Sequence, residues 1–533
     1  MGVDDLLKSD DATPLGVDVR AIVLIGARDT VGRRVDRAGV VAENVEGADV
    51  AALRARLAPF VGRPLSRKLI AEVQAAVAAV YRDAGRPFVS VTLPPQEVST
   101  GVLQVRVIVF KVGSIKVTGA PPDSYLGHRI RVVPGEEIDA RRLETDLDWA
   151  NRNPFRQVEA VFGPGKDLGT TDLDIKVTER RPWQAFGGYS NSGTTLSDRN
   201  RYFVGLSAAP IGDVVASYQA TGSGDFWFNN GRLFNDPDSA QYMSHAGRLT
   251  VPLAARTSLE VVADHVVTNE RPVDAFLTTT KTSEASAIIR TALSDLLRPA
   301  FGDLLGGVEL KHQHQTRYVD DFLLGQASAA VAQWVVGWNG RWPDAFGNNS
   351  LDIRVKSNPG GILPDNTGDA WDNFSNGRVS DVRMTFATVE YARVTPLPMS
   401  WSLKSELSVL AAARPLPDTE RVGLGGMQGV RGYVIEDGVV DRAAILRNSL
   451  YLPPVAMPAS LPGAISPFLL ADIGWGRDIH WRHETTLSSV GAGLDYSAGA
   501  NASFSLSAAT ALRDGQHSPA GSWRIFVRAL VSY

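Results

Sequence analysis

A glycine-rich run at residues 423–429, Gly-Leu-Gly-Gly-Met-Gln-Gly, has the composition of a phosphate-binding loop. Such loops turn backbone N–H groups toward a phosphate at the start of a helix, with glycines at set positions. Here the spacing is not that of a dinucleotide loop and no helical period follows. The run reads instead as a flexible approach to the turn behind it. His312 and His314 lie two apart on an alternating segment, so they share one face, as a pair of imidazole metal ligands would. No third ligand accompanies them, and polar lumen or loop positions explain them better. Asp365, Asp369 and Asp372 could supply the oxygens a calcium ion takes, and a solvated loop explains the same cluster. The chain has no Cys, which removes disulfides, thiolate catalysis and Cys-based zinc sites. No nucleophile elbow, zincin helix or Ser/His/Asp arrangement is recognisable. The expectation is a protein that is not an enzyme, with no catalytic residue, cofactor or resident metal.

The elements that would position any of these residues come in two kinds. The 533 residues exceed one ordinary globular core. A net charge of −4 creates no global field for nucleic acid, and none is expected as a partner. Hydrophobic content of 44% excludes a mostly disordered chain. No run of about 18 apolar residues supports a transmembrane helix. Residues 1–17 are acidic and polar, read as an N-terminal extension and not as a signal peptide.

From residue 18 to 180 helical and strand periods mix. Residues 19–25 read as a strand. Residues 48–60 and 66–82 repeat apolar side chains at helical spacing, with Ile70, Val73, Val77, Val80 and Tyr81 on one face of the second. Residues 88–93 and 102–112 alternate as strands. A shorter version follows: a strand at 114–118, a helix at 139–151 with Asp139 placed to cap it, and strands at 157–162 and 171–178. Two copies of one small α+β unit, at residues 18–112 and 113–180, are the plainest reading.

After residue 181 helical periodicity almost disappears. Leu351, Ile353 and Val355 alternate with Asp352, Arg354 and Lys356, and similar segments recur to the C-terminus. The last places Trp523, Ile525, Val527, Ala529, Val531 and Tyr533 on one face. One apolar and one polar face fits either a soluble sandwich or a membrane barrel with a polar lumen. Three features favour the barrel: Trp or Tyr at the ends of the apolar faces, full charges in runs on the polar faces, and an aromatic as the last residue. About 350 residues, at about 20 or more per strand with its loop, give about sixteen strands, an even number as bacterial barrels prefer.

Four stretches are more specific. One is Leu93-Pro94-Pro95-Gln96-Glu97-Val98-Ser99-Thr100-Gly101. A second runs from Trp149 through Asn153, Pro154 and Phe155 to Gly169-Thr170-Thr171-Asp172-Leu173. The third is Gly429-Val430-Arg431-Gly432-Tyr433, and the fourth Phe468-Leu469-Leu470-Ala471-Asp472-Ile473-Gly474. On these the chain resembles the outer-membrane transporters of two-partner secretion, the hemolysin secretion and activation family, within the superfamily of the outer-membrane barrel-assembly protein. The resemblance implies two periplasmic POTRA domains followed by a sixteen-stranded antiparallel transmembrane β-barrel at residues 181–533, with an inward-folding loop around 413–440. It implies that Arg431 of this loop contacts Asp472 of a barrel strand, and that Tyr533 ends a C-terminal strand signal. The family's N-terminal plug helix has no counterpart legible in residues 1–17.

The physics of such a pair is sound, because a charge in a confined site needs a partner and a guanidinium fork fits a carboxylate. Period two places Phe468, Leu470, Asp472 and Gly474 on one face and Leu469, Ala471, Ile473 and Trp475 on the lipid face. Gly432 would bring the loop backbone close to the wall, with Gly474 leaving room opposite it. The implied function is export of a large unfolded secreted protein, docked by its N-terminal segment on the POTRA domains and passed through the barrel. The implied surroundings are outer-membrane lipid and, during biogenesis, the barrel-assembly machinery. An outer-membrane assembly factor, a passive porin and a soluble β-rich enzyme are the rival readings.

Overall fold

The computed structural model describes residues 10–32, 36–42, 45–47, 49–119, 129–228, 240–273, 275–297, 301–320, 322–458, 462–499 and 501–533. The chain divides into two compact units, Met1–Arg180 and Arg181–Tyr533.

The first unit holds two small α+β layers. In the first repeat β1 (Ala21–Ile25), β2 (Gly39–Val41), β3 (Val89–Thr92) and β4 (Val102–Val109) form a sheet of order β2-β1-β4-β3. Helices α1 (Val50–Leu57) and α2 (Arg67–Asp83) cover it. Ser66 starts α2 by accepting the Leu69 N–H at 3.1 Å, the role a short hydroxyl side chain fills at an N-cap. Leu69, Val73, Val77 and Tyr81 then recur at helical spacing and are buried with Leu24, Leu103 and Val105. Strand β2, three residues long, is too short to show a period in the sequence. The described end of the expected extension is tied into this repeat: Leu15 N–H donates to Leu65 O at 2.8 Å and Leu65 N–H to Val17 O at 2.9 Å.

The second repeat has β5 (Lys111–Thr118), α3 (Ala140–Ala150), β6 (Arg156–Pro164) and β7 (Thr170–Glu179), in sheet order β5-β7-β6. Asp139 accepts the Arg142 N–H at 3.1 Å and caps α3. Leu143 and Ala150 of α3 pack on Val158, Leu173, Ile175 and Val177. The repeats touch through the Phe88 and Phe162 rings, 4.2 Å between centroids, and through ion pairs Arg86–Glu137 at 3.1 Å and Lys111–Glu46 at 3.2 Å.

The second unit is a closed antiparallel barrel. Its long strands are β8 (Trp183–Ser190), β9 (Arg201–Ile211), β10 (Val214–Gly222), β11 (Tyr242–Ala254), β12 (Thr257–Glu270), β13 (Phe276–Ala292), β14 (Asp303–Val319) and β15 (Phe322–Asp344). The wall continues with β16 (Gly347–Asn358), β17 (Met384–Pro396), β18 (Ser402–Ala412), β21 (Arg442–Tyr451), β23 (Ala464–Asp478), β24 (His483–Ala498), β25 (Ala502–Ala511) and β26 (Trp523–Ser532). These sixteen are joined by the short β22 (Val455–Ala456) beside β23. Between β18 and β21 the chain leaves the wall, and β19 (Val422–Gly423) pairs with β20 (Val439–Val440).

Closure falls at the chain's end. Tyr533 and Ala185 exchange both backbone hydrogen bonds, at 2.9 and 3.1 Å, and the Tyr533 ring lies 6.1 Å from that of Trp183. The Arg181 guanidinium stands 4.3 Å from the Tyr533 ring centroid. No helix among the described residues is long and apolar enough to cross a membrane. The strands supply the apolar surface: Leu469, Ile473 and Trp475 of β23 are exposed outward, whereas Phe468, Leu470, Asp472 and Gly474 are buried within. Trp183, Trp475, Trp481, Trp523, Phe322 and Phe346 are among the exposed aromatics.

Candidate functional site: a loop clamped inside the barrel

Loop 413–441 starts at the rim opposite Trp183 and Tyr533 and packs in the interior. Its Leu416, Leu424, Val430, Tyr433 and Val440 are almost fully buried against Ala443, Ile445, Leu487 and Ala511 of the wall. This seat is apolar, so the interior is not the uniformly polar lumen that strand alternation suggests. The glycine-rich run is no flexible approach. Leu424 accepts the Val430 N–H at 2.7 Å and Tyr433 accepts the Gly426 N–H at 3.0 Å, closing a packed turn. Every backbone group so bonded is one that water need not reach.

Arg431 projects from this turn onto β23. Its Nε and Nη2 donate to the two oxygens of Asp472 at 2.7 Å each. Its backbone N–H adds a third bond to Asp472 at 3.1 Å, and Nη2 also reaches Ser449 Oγ at 3.1 Å. The two side chains are 6% and 0% exposed. A bidentate pair with additional hydrogen bonds is the geometry in which burying two charges is tolerable. Phe468, on the same inward face, lies beneath the guanidinium, 5.8 Å from ring centroid to Cζ.

Gly432 has φ +105°, and a Cβ there would stand 3.2 Å from Ser489 Cβ, so loop and wall meet backbone to side chain. The room left by Gly474 is filled by Val430 rather than lying opposite Gly432: a Cβ on Gly474 would stand 2.7 Å from Val430 Cγ2. The Tyr433 hydroxyl lies between Ser488 O at 2.8 Å and Arg513 O at 2.9 Å, and accepts the Arg513 N–H at 3.1 Å.

Two further anchors were not legible in the sequence. Buried Asp437 accepts from Val434 N at 2.9 Å, Ser518 N at 2.8 Å and Ser518 Oγ at 2.5 Å, joining the loop to the β25–β26 connection. Buried Asp441 at the loop's base accepts Leu416 N and Ile479 N, both at 2.8 Å, with the Arg378 and Arg421 guanidiniums at 3.5 and 3.6 Å. Single acidic residues in a loop carry no spacing signal, which is why sequence reasoning passes over them.

The other candidates separate. His312 meets Asp365 at 3.2 Å, and His314 Nδ1 lies 2.9 Å from Ser328 Oγ, so the histidines have different partners. Among the described residues no group of three or more His, Asp or Glu is arranged to hold a metal. Asp369 lies in the first turn of the short helix Gly368–Phe374, whose Trp371 and Phe374 join the apolar cluster of the loop.

A closed sixteen-stranded barrel, an aromatic-edged apolar exterior, two small α+β repeats and a loop clamped inward define an outer-membrane transporter with periplasmic POTRA domains. The family model for haemolysin secretion/activation protein ShlB/FhaC/HecB matches residues 169–496, and that for a ShlB-type POTRA domain matches residues 37–109. The chain belongs to this ShlB/FhaC/HecB family of haemolysin secretion/activation proteins. It is 20% identical over 482 residues to the heme/hemopexin transporter protein HuxB of Haemophilus influenzae, covering 85% of this chain and 79% of that one. It is 23% identical over 468 residues to the outer membrane transporter CdiB of Escherichia coli, covering 83% and 73%. In structure it is similar to CdiB from Escherichia coli (TM-score 0.69, 19% identity, 100% and 95% covered). It is also similar to CdiB from Acinetobacter baumannii (TM-score 0.57, 14% identity, 99% and 91% covered). These likenesses in structure bear on the fold.

Proposed function

We propose that this two-partner secretion transporter exports one large unfolded protein and that Arg431 holds the loop that partly fills its path. The observation that carries this reading is the Arg431–Asp472 clamp, which seats a loop on the inner wall by contacts that can be broken and remade. A permanent wall needs no such device, and a passive solute pore gives it no purpose. Phe468, Val430, Gly432, Tyr433 and Gly474 shape the seat.

The exported chain reaches the periplasm unfolded. Strands β2, β3, β5 and β6 are at the edges of their sheets and can take an extended segment by backbone hydrogen bonding. No catalytic residue is assigned. The outward apolar faces meet outer-membrane lipid, and Tyr533, closing the barrel on β8, is the end of the strand that the barrel-assembly machinery would read.

The test compares proteins released into the medium by cells lacking this gene and carrying either wild type or Arg431→Ala. The variant is first shown to reach the outer membrane as a folded barrel. Export predicts one large protein that disappears on deletion, returns with wild type and fails to return with Arg431→Ala. An unchanged set of released proteins on deletion overturns the secretion reading and advances assembly or porin activity.

A further inference from the structure

Beyond Arg431, charge holds the same loop elsewhere too: at Arg421, whose Nη2 meets Asp478 of β23 at 2.5 Å, and at Glu420. Glu420, upstream of Arg431, ends the short turn Asp418–Glu420 and points its carboxylate at Lys311 of β14, Oε1 to Nζ 2.8 Å. Its other oxygen lies 3.8 Å from Lys356 of β16. Glu420 is 3% exposed and Lys311 11%. Strands β17, β18 and β21 separate β16 from the Asp472 strand β23, so the two anchors grip different sectors of the wall.

The two anchors are built differently. Each lysine has a carboxylate of its own on the wall: Lys311 lies 3.3 Å from Glu284 of β13, and Lys356 lies 2.7 Å from Glu309 of β14. Gln333 donates to the same Glu309 oxygen at 2.8 Å. When Glu420 withdraws, neither lysine is stranded. A cavity of about 230 Å³ adjoins these groups, lined by Asp264, Glu284, Glu309, Lys311 and Lys356. It has room for several waters, whose share of liquid volume is about 30 Å³ each, to solvate the separated charges. Asp472, in contrast, is wholly enclosed; it receives three bonds from Arg431, and the backbone N–H of Asn448 adds one at 3.3 Å. Breaking that pair uncovers a buried charge, which is the costly kind of separation.

We propose that Glu420 is a positioning residue, a releasable latch on Lys311 and Lys356 that parts before Arg431 leaves Asp472, so that the loop opens the lumen on the β14–β16 side first. This rests on the reading of the barrel as an export pore. It is tested by conductance of the full-length protein in planar bilayers, which does not depend on the exported partner.

Glu420→Gln keeps the shape and removes the charge. It should raise the open fraction by roughly fivefold or more, the low end of a coupling of this kind. Because the chain has no Cys, Glu420→Cys with Lys311→Cys gives a unique pair for a short, cleavable bis-methanethiosulfonate bridge. Bridging should suppress openings below wild type, and dithiothreitol should restore them. Currents of Glu420→Gln equal to wild type, or openings untouched by the bridge, overturn the latch. Failure of the secretion experiment with these conductance results intact would overturn the export reading and leave the latch standing.

Discussion

Val430 fills the space that Gly474 leaves: a Cβ on Gly474 would stand 2.7 Å from Val430 Cγ2. Glycine is therefore required at this strand position by the loop, not by the strand. Gly474→Ala should overpack the seat by about 1–3 kcal/mol. The barrel should still form, while loop 413–441 becomes more open to protease in the folded, heat-modifiable protein. Protease protection equal to wild type would mean that Val430 shifts freely and the fit is unimportant.

Arg431→Ala removes both 2.7 Å bonds and leaves the Asp472 carboxylate enclosed. Loss of one partner of a buried pair costs about 3–5 kcal/mol. Arg431→Lys retains charge but not the fork, so it should recover only part of export. Quantifying the released partner for both variants checks the order wild type, Lys, Ala. Equal export by Lys and wild type would show that charge alone suffices.

Tyr433→Phe deletes the hydroxyl that bridges Ser488 and Arg513 while keeping the buried ring. A loss of about 1–3 kcal/mol is expected, because enclosed backbone groups lose their partner. The temperature at which the barrel loses its compact electrophoretic form should fall. An unchanged temperature would show that another group takes over the contact.

Alkaline pH should loosen the first POTRA repeat through Tyr81. Burial chiefly, with the Glu137 charge adding, pushes its phenol up to about 12 from 10.0. Below pH 10 the group is neutral whether folded or unfolded and contributes no slope. Between pH 10 and about 12 the unfolded form loses its proton and the folded form keeps it, so stability falls as pH rises. Tyr81→Phe should abolish that part of the decline in urea unfolding followed over the same range, after correction for its lost bond to Glu46 O at 2.9 Å. A decline of identical size in the variant would remove Tyr81 from the account.

Much of the fold is written in local pattern. With Asp472 inward, as the family resemblance implies, alternation along β23 turns Trp475 outward, because a strand has a period of two and its two faces meet different surroundings. The helical repeat through Leu69, Val73 and Val77 likewise declares α2. Strand β2 escaped because three residues show no period, and the glycine run at 423–429 was misread as flexible because composition does not report hydrogen bonds such as Val430 N to Leu424 O.

The loop divides what sequence and tertiary structure each decide. Arg431 and Asp472 were legible as a pair because each stands in a motif on which the chain resembles the transporter family, and that resemblance implies the contact. Glu420, Asp437 and Asp441 stand in no motif. Their partners, Lys311 on β14, Ser518 beyond β25 and Leu416 at the loop's start, come within reach only when the barrel has closed and the loop has packed inside it. Sequence by itself determined which faces are apolar, which residues could pair and how many strands there is chain to build. For the carboxylates outside those motifs, tertiary structure decided which cation or N–H each one meets, because such a contact depends on separation in space, and barrel closure sets that separation for residues far apart in the chain.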